Sequence, residues 1–135
     1  MPILSMIDNR FATLVFDTND KIVHHTFHKD LDSTHLRLVL NTGLELFETH
    51  GANKWLSDNR AIDPHSEEDT LWINQEWLPR VIKAGWKYWA LVVPHDAKAR
   101  MNMVEFVGSF YDQGVRVMVF TDLAPAMDWL RAAGR

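Results

Sequence analysis

The sequence predicts a single mixed α/β domain over residues 1–135, in which an antiparallel N-terminal β-hairpin joins parallel βαβ units and about four helices. Three observations lead there. Two runs rich in strand formers, Phe11–Phe16 and Lys21–His28, flank the polar turn Asp17-Thr18-Asn19-Asp20 and read as a hairpin. After Asp32, strand-length apolar runs alternate with segments of helical period, the pattern of right-handed crossovers feeding a parallel sheet. Trp86–Val93 is almost wholly apolar, as expected of a strand covered on both faces.

Within the hairpin, Lys21–His28 alternates, placing Val23, His25 and Phe27 on one face and Ile22, His24, Thr26 and His28 on the other. The first helix opens at Asp32-Ser33-Thr34, whose side chains suit an N-cap. It carries Leu36, Leu40, Leu44 and Phe47 at helical spacing and stops at Gly51. Lys54–Ser57 is a short strand, and Asp58–His65 is the longest irregular stretch of the domain. Ser66 with Asp69 three residues on resembles a capping box for a helix bearing Ile73, Trp77 and Val81 on one face. Pro79 predicts a kink or break in that helix, because proline donates no hydrogen bond to the ladder. A third helix is expected over Lys98–Asp112, ended by Gly114, then a strand over Val115–Phe120. Thr121 or Asp122 caps a last helix with Ala126, Trp129 and Leu130 inward.

Composition narrows the chemistry. A formal net charge of −4 leaves no basic excess for a nucleic-acid backbone or an anionic membrane surface. The absence of cysteine removes disulfides, thiolate metal sites and cysteine nucleophiles, and suits a reducing compartment. Met1–Met6 lacks the pattern of a signal peptide, and no apolar run approaches the roughly 18–20 residues of a membrane span. These features predict a soluble cytoplasmic protein whose partners are proteins, a second copy of itself, or small molecules.

Lys54-Trp55-Leu56-Ser57-Asp58-Asn59-Arg60, the run from Trp72 through Trp77-Leu78-Pro79-Arg80, Ala84-Gly85-Trp86-Lys87, Val92-Val93-Pro94 and Ala126–Leu130 together resemble the SpoIIAA-like (STAS-like) superfamily. Its small stand-alone bacterial members are the nearest in pattern. The resemblance implies a mixed sheet covered mainly on one face by helices, and a role in regulation or ligand sensing more often than in catalysis. It also implies a phosphorylatable serine at a strand-to-helix junction, for which Ser57 is the nearest equivalent. Here the Asp-Ser order of the family is reversed to Ser57-Asp58 and no glycine follows.

Ser57-Asp58-Asn59-Arg60 is the densest polar cluster after a buried strand, at the strand end where α/β proteins place ligands. Arg60 suits a carboxylate or phosphate, with Asp58 orienting it; the plainer reading is an internal Asp58–Arg60 salt bridge that closes the loop. His95, after Pro94 at the next strand end, is an acid–base candidate or simply a loop histidine before a helix cap. Six tryptophans suggest core packing, or an aromatic pocket or interface, with Trp72 the one expected at the margin. Seven histidines raise a metal site, but His24 and His28 would stand roughly 13 Å apart along a strand and no paired-ligand motif is present. Neither metal nor cofactor is expected. The expectation is a non-enzymatic regulatory or binding module that takes a protein partner or a small apolar or anionic ligand at Ser57, Asp58, Arg60, Trp72 and His95. The alternative is a small enzyme using Asp58, Arg60 and His95.

Overall fold

A computed structural model describes residues 3–135; the expectation drawn from Met1 and Pro2 lies outside the described residues. The elements in chain order are β1 (Ile3–Asp8), β2 (Ala12–Asp17), β3 (Ile22–Phe27), α1 (Ser33–His50), β4 (Lys54–Asp58), α2 (Glu67–Trp72), a π-helical turn (Ile73–Trp77), α3 (Leu78–Lys83), β5 (Tyr88–Val92), α4 (His95–Arg100), α5 (Met103–Tyr111), β6 (Arg116–Phe120) and α6 (Leu123–Ala132). They form one sheet of order β1-β2-β3-β4-β5-β6, antiparallel from β1 to β3 and parallel from β3 to β6. The predicted mixed α/β fold is the one observed.

Strands added one after another in the same direction, each through a right-handed crossover, put every crossover helix on the same side of the sheet. α1 and α3 accordingly share a core with the sheet residues Leu14, Phe16, Val23, Phe27 and Trp55. α6 has no strand after it and covers the other face, packing Ala126 and Leu130 on Leu56, Ala90 and Val92. Alternation along β4 therefore sends Trp55 and Ser57 toward the crossover helices and Leu56 and Asp58 toward α6.

The local signals act as expected at several ends. Asp17 Oδ1 accepts from the backbone N–H groups of Asn19 and Asp20 at 3.0 and 3.1 Å, closing the β2–β3 turn. Asp32 Oδ1 caps α1 by accepting from His35 N at 2.9 Å, and Ser66 Oγ caps α2 by accepting from Asp69 N at 3.1 Å.

Three features differ from expectation. Ile3–Asp8 is a sixth strand, so the hairpin of β2 and β3 lies inside the sheet and β1 is the edge; a register shift between Ser5 and Ile7 bulges that edge. The expected helix over Lys98–Asp112 is two, because Met101 is extended and Asn102 Oδ1 caps α5 by accepting from Glu105 N at 3.2 Å. At Pro79, where a kink or break is expected, the helical run continues through a π turn. Leu78 N–H reaches back five residues to Ile73 O, and the widened turn carries the chain through the proline, which sits in the first turn of α3.

Candidate functional site

The parallel register sets His25 of β3, Ser57 of β4 and Leu91 of β5 side by side on the crossover-helix face. Above them is a cavity of about 370 Å³, within the range of about 300–1,000 Å³ typical of small-molecule sites. The π turn and the residue after it supply Ile73, Asn74, Trp77 and Leu78 as one wall. Trp86 and Trp89 form another, and α5 closes the space with Phe106 and Phe110. π turns widen a helix locally and recur at binding sites; here the same device that accommodates Pro79 shapes a cavity wall.

The rings pack on one another rather than standing alone. Trp77 meets Trp55 edge-on at 5.3 Å and Trp86 at 5.7 Å, and Trp89 meets Phe110 edge-on at 5.0 Å between centroids. No Asp, Glu, Lys or Arg lines the cavity among the described residues.

Three of its polar side chains, His25, Asn59 and Ser57, are joined to the protein by hydrogen bonds. Trp55 Nε1 donates to His25 Nδ1 at 2.8 Å, and an indole N–H is a donor only. His25 therefore carries its proton on Nε2 and donates it to Asn59 Oδ1 at 2.9 Å. Burial pushes the His25 pKa down to about 3, although the hydrogen bond to Asn59 opposes this. With both nitrogens engaged and the ring neutral, His25 is no acid or base at neutral pH. Trp89 Nε1 donates to Ser57 Oγ at 2.9 Å. The half-buried His65, also at the wall, is shifted below the usual imidazole range by burial, against the pull of Asp69.

The residues expected at the site divide. Ser57 lines the cavity, 4% exposed, with its hydroxyl oxygen held by Trp89; a phosphate there would have to be accommodated in an apolar wall. Asp58 points to the α6 face, where Arg60 Nε and an Arg60 terminal nitrogen donate to its two oxygens at 2.9 and 2.8 Å. Burial pushes the Asp58 pKa up, but the Arg60 hydrogen bonds and charge outweigh it and leave the carboxyl below its usual range. His95 opens α4, exposed, with no hydrogen bond to Asp58 or Arg60. An acid–base set needs convergence within hydrogen-bond reach, and these three do not converge. Trp72 is half-buried beneath the Arg37 guanidinium, 5.0 Å from its ring centre, outside the cavity.

Sequence reasoning passed over His25, Asn59, Trp86 and Trp89 as a group. The signal available was strand alternation, which sends Ser57 and Asp58 to opposite faces and aligns Ser57 with the aromatic side. Among the described residues no three His, Cys, Asp or Glu side chains gather as a metal site, and no helix is long and apolar enough to cross a membrane. No family model, curated protein or solved structure matches the chain.

Proposed function

We propose that the chain is a non-enzymatic binding module that takes a small, mostly apolar molecule in the aromatic cavity between β3–β5, the π turn and α5. The observation that carries this reading is an uncharged, aromatic-walled space whose histidine and serine are committed to internal hydrogen bonds. Nucleophilic or acid–base chemistry needs an activated group with a partner at hydrogen-bond distance. Ser57 has an indole donor in place of a base, and His25 is held neutral. A hydrophobic ligand, in contrast, gains from every ring it covers. The helix layer on one sheet face agrees with the SpoIIAA-like reading, in which such a module regulates a protein partner or its own self-association according to occupancy.

Indole N–H resonances test the proposal. Titrating the protein with naphthalene should shift the Trp77, Trp86 and Trp89 signals saturably. Trp129, on α6 across the sheet and packed with Tyr88 and Phe120, should stay in place. Ile73→Trp, which fills the cavity wall, should abolish the shifts. Absence of saturable shifts in the folded protein would refute the proposal.

A further inference from the structure

We infer that the ligand of this cavity is uncharged and carries a hydrogen-bond acceptor of the carbonyl class; the inference rests on the cavity being a binding site. Four tryptophans line the cavity. Three of their N–H groups are spent inside the protein: Trp55 on His25, Trp77 on the Leu40 carbonyl at 2.7 Å, and Trp89 on Ser57. Trp86 is different. Its side chain is 4% exposed and its Nε1–H is buried with no hydrogen-bond partner. The rings of Trp55, Trp77, Trp89 and Phe110 stand around it, and a ring face is a weak acceptor.

A buried donor left without an acceptor is costly, and native proteins keep few of them. Two further donors lie in the same wall. Ser57 spends a lone pair on Trp89, yet its own O–H proton meets no acceptor among the described residues. Asn59 spends Oδ1 on His25, which leaves its NH2 group unspent. Thr70 and Asn74 also line the cavity but are exposed and exchange hydrogen bonds with water. The buried polar atom of the lining left without a partner, Trp86 Nε1, is a donor that an acceptor on the ligand answers.

Charge decides which acceptor. A carboxylate or phosphate entering the cavity would lose its hydration with no Lys or Arg to compensate, and His25 stays neutral above about pH 3. A ketone, ester or amide oxygen meets the donors without that cost.

Three probes on one ring frame test this: naphthalene, 2-acetylnaphthalene and 2-naphthoate. The ketone should bind roughly 5–30-fold tighter than the hydrocarbon, the worth of one or two neutral hydrogen bonds, and should move the Trp86 indole proton downfield. The carboxylate should bind weakest at neutral pH. Trp86→Phe keeps an aromatic wall and Ser57→Ala keeps the strand. Each should lower the ratio of ketone to naphthalene affinity toward one, a ratio in which any loss of ring contact common to both probes cancels. Equal affinity for ketone and hydrocarbon, or tightest binding of the naphthoate, overturns this inference and leaves the cavity reading standing. Failure of all three probes to bind overturns both.

Discussion

The indole of Trp55 occupies the space that a side chain on Gly43 would need. A Cβ built on Gly43 would lie 2.6 Å from Cζ3 and 2.8 Å from Cζ2 of that ring. Trp55 is tied on its other edge to His25 and crossed by Trp77, so it has nowhere to retreat. Glycine here serves close packing of α1 on β4. Gly43→Ala should therefore destabilise the protein by about 1–3 kcal/mol through overpacking, although alanine is favoured over glycine by about 1 kcal/mol in a helix. In a Trp55→Phe background the penalty should shrink or reverse, which a double-mutant cycle in urea measures. A stabilising Gly43→Ala in the wild-type background would contradict the packing.

His25 makes stability depend on acid. Its folded pKa is about 3 against an ordinary 6.5, so between those values the unfolded chain binds a proton that the folded chain refuses. The contribution is complete above about pH 6.5 and is lost as pH falls toward 3. At pH 4.5, two units below the ordinary value, His25 alone should remove roughly 2–3 kcal/mol. His24 and His65, both lowered chiefly by burial, act in the same direction. Urea midpoints at pH 7.5 and 4.5 measure the sum, and imidazole resonances isolate His25, which should not titrate between them. A His25 midpoint near 6 would show that the ring is not locked between Trp55 and Asn59.

Arg60 separates a loop clasp from a ligand contact. Asp58 is 5% exposed and both of its oxygens accept from the Arg60 guanidinium, so Arg60→Ala leaves a buried carboxylate with only the backbone N–H of residue 60, at 3.3 Å, as a donor. The loss should be about 1–2 kcal/mol, kept small because the Arg60 side chain is itself 42% exposed. The Asp58 pKa should rise. Naphthalene affinity should be unchanged, since the pair lies across the sheet from the cavity. If Arg60→Ala abolishes probe binding in protein that remains folded by circular dichroism, the strand-end rim and not the cavity is the site.

The order of elements was readable because β2, β3 and α1 carry period-2 and period-3.6 patterns with capping side chains at Asp32 and Ser66, and β5 its continuous apolar run. β1 escaped because Ile3-Leu4-Ser5-Met6-Ile7 has no clear alternation, and its bulged edge needs none. The division of α4 from α5 was written in Asn102 and Glu105, but a polar pair inside an amphipathic run reads equally well as solvent-facing helix. The π turn depends on how Pro79 is accommodated, a tertiary outcome that local propensity does not encode. The site was half legible. Ser57 stood out as a polar residue in a buried strand, whereas the cavity depends on Trp86, Trp89 and Phe110 converging from β5, its preceding turn and α5. Only the crossover geometry brings them together.

That convergence also identifies which element yields to admit a ligand. α1 has seven buried residues, while α4 and α5 have none, and α5 holds its place through the half-buried Phe106 and Phe110 on Trp89. Elements with few buried contacts open at low free-energy cost, so amides of α5 should exchange with solvent well ahead of those in α1. The two phenylalanines are at the same time cavity wall. A ligand that binds only the closed arrangement should therefore slow α5 exchange, by about 100-fold at a concentration 100 times its Kd, and leave α6 unaffected. Hydrogen exchange with and without 2-acetylnaphthalene measures both. Slowing confined to α2 and the π turn would place the entrance on that side of the cavity instead, and α5 would be a fixed wall.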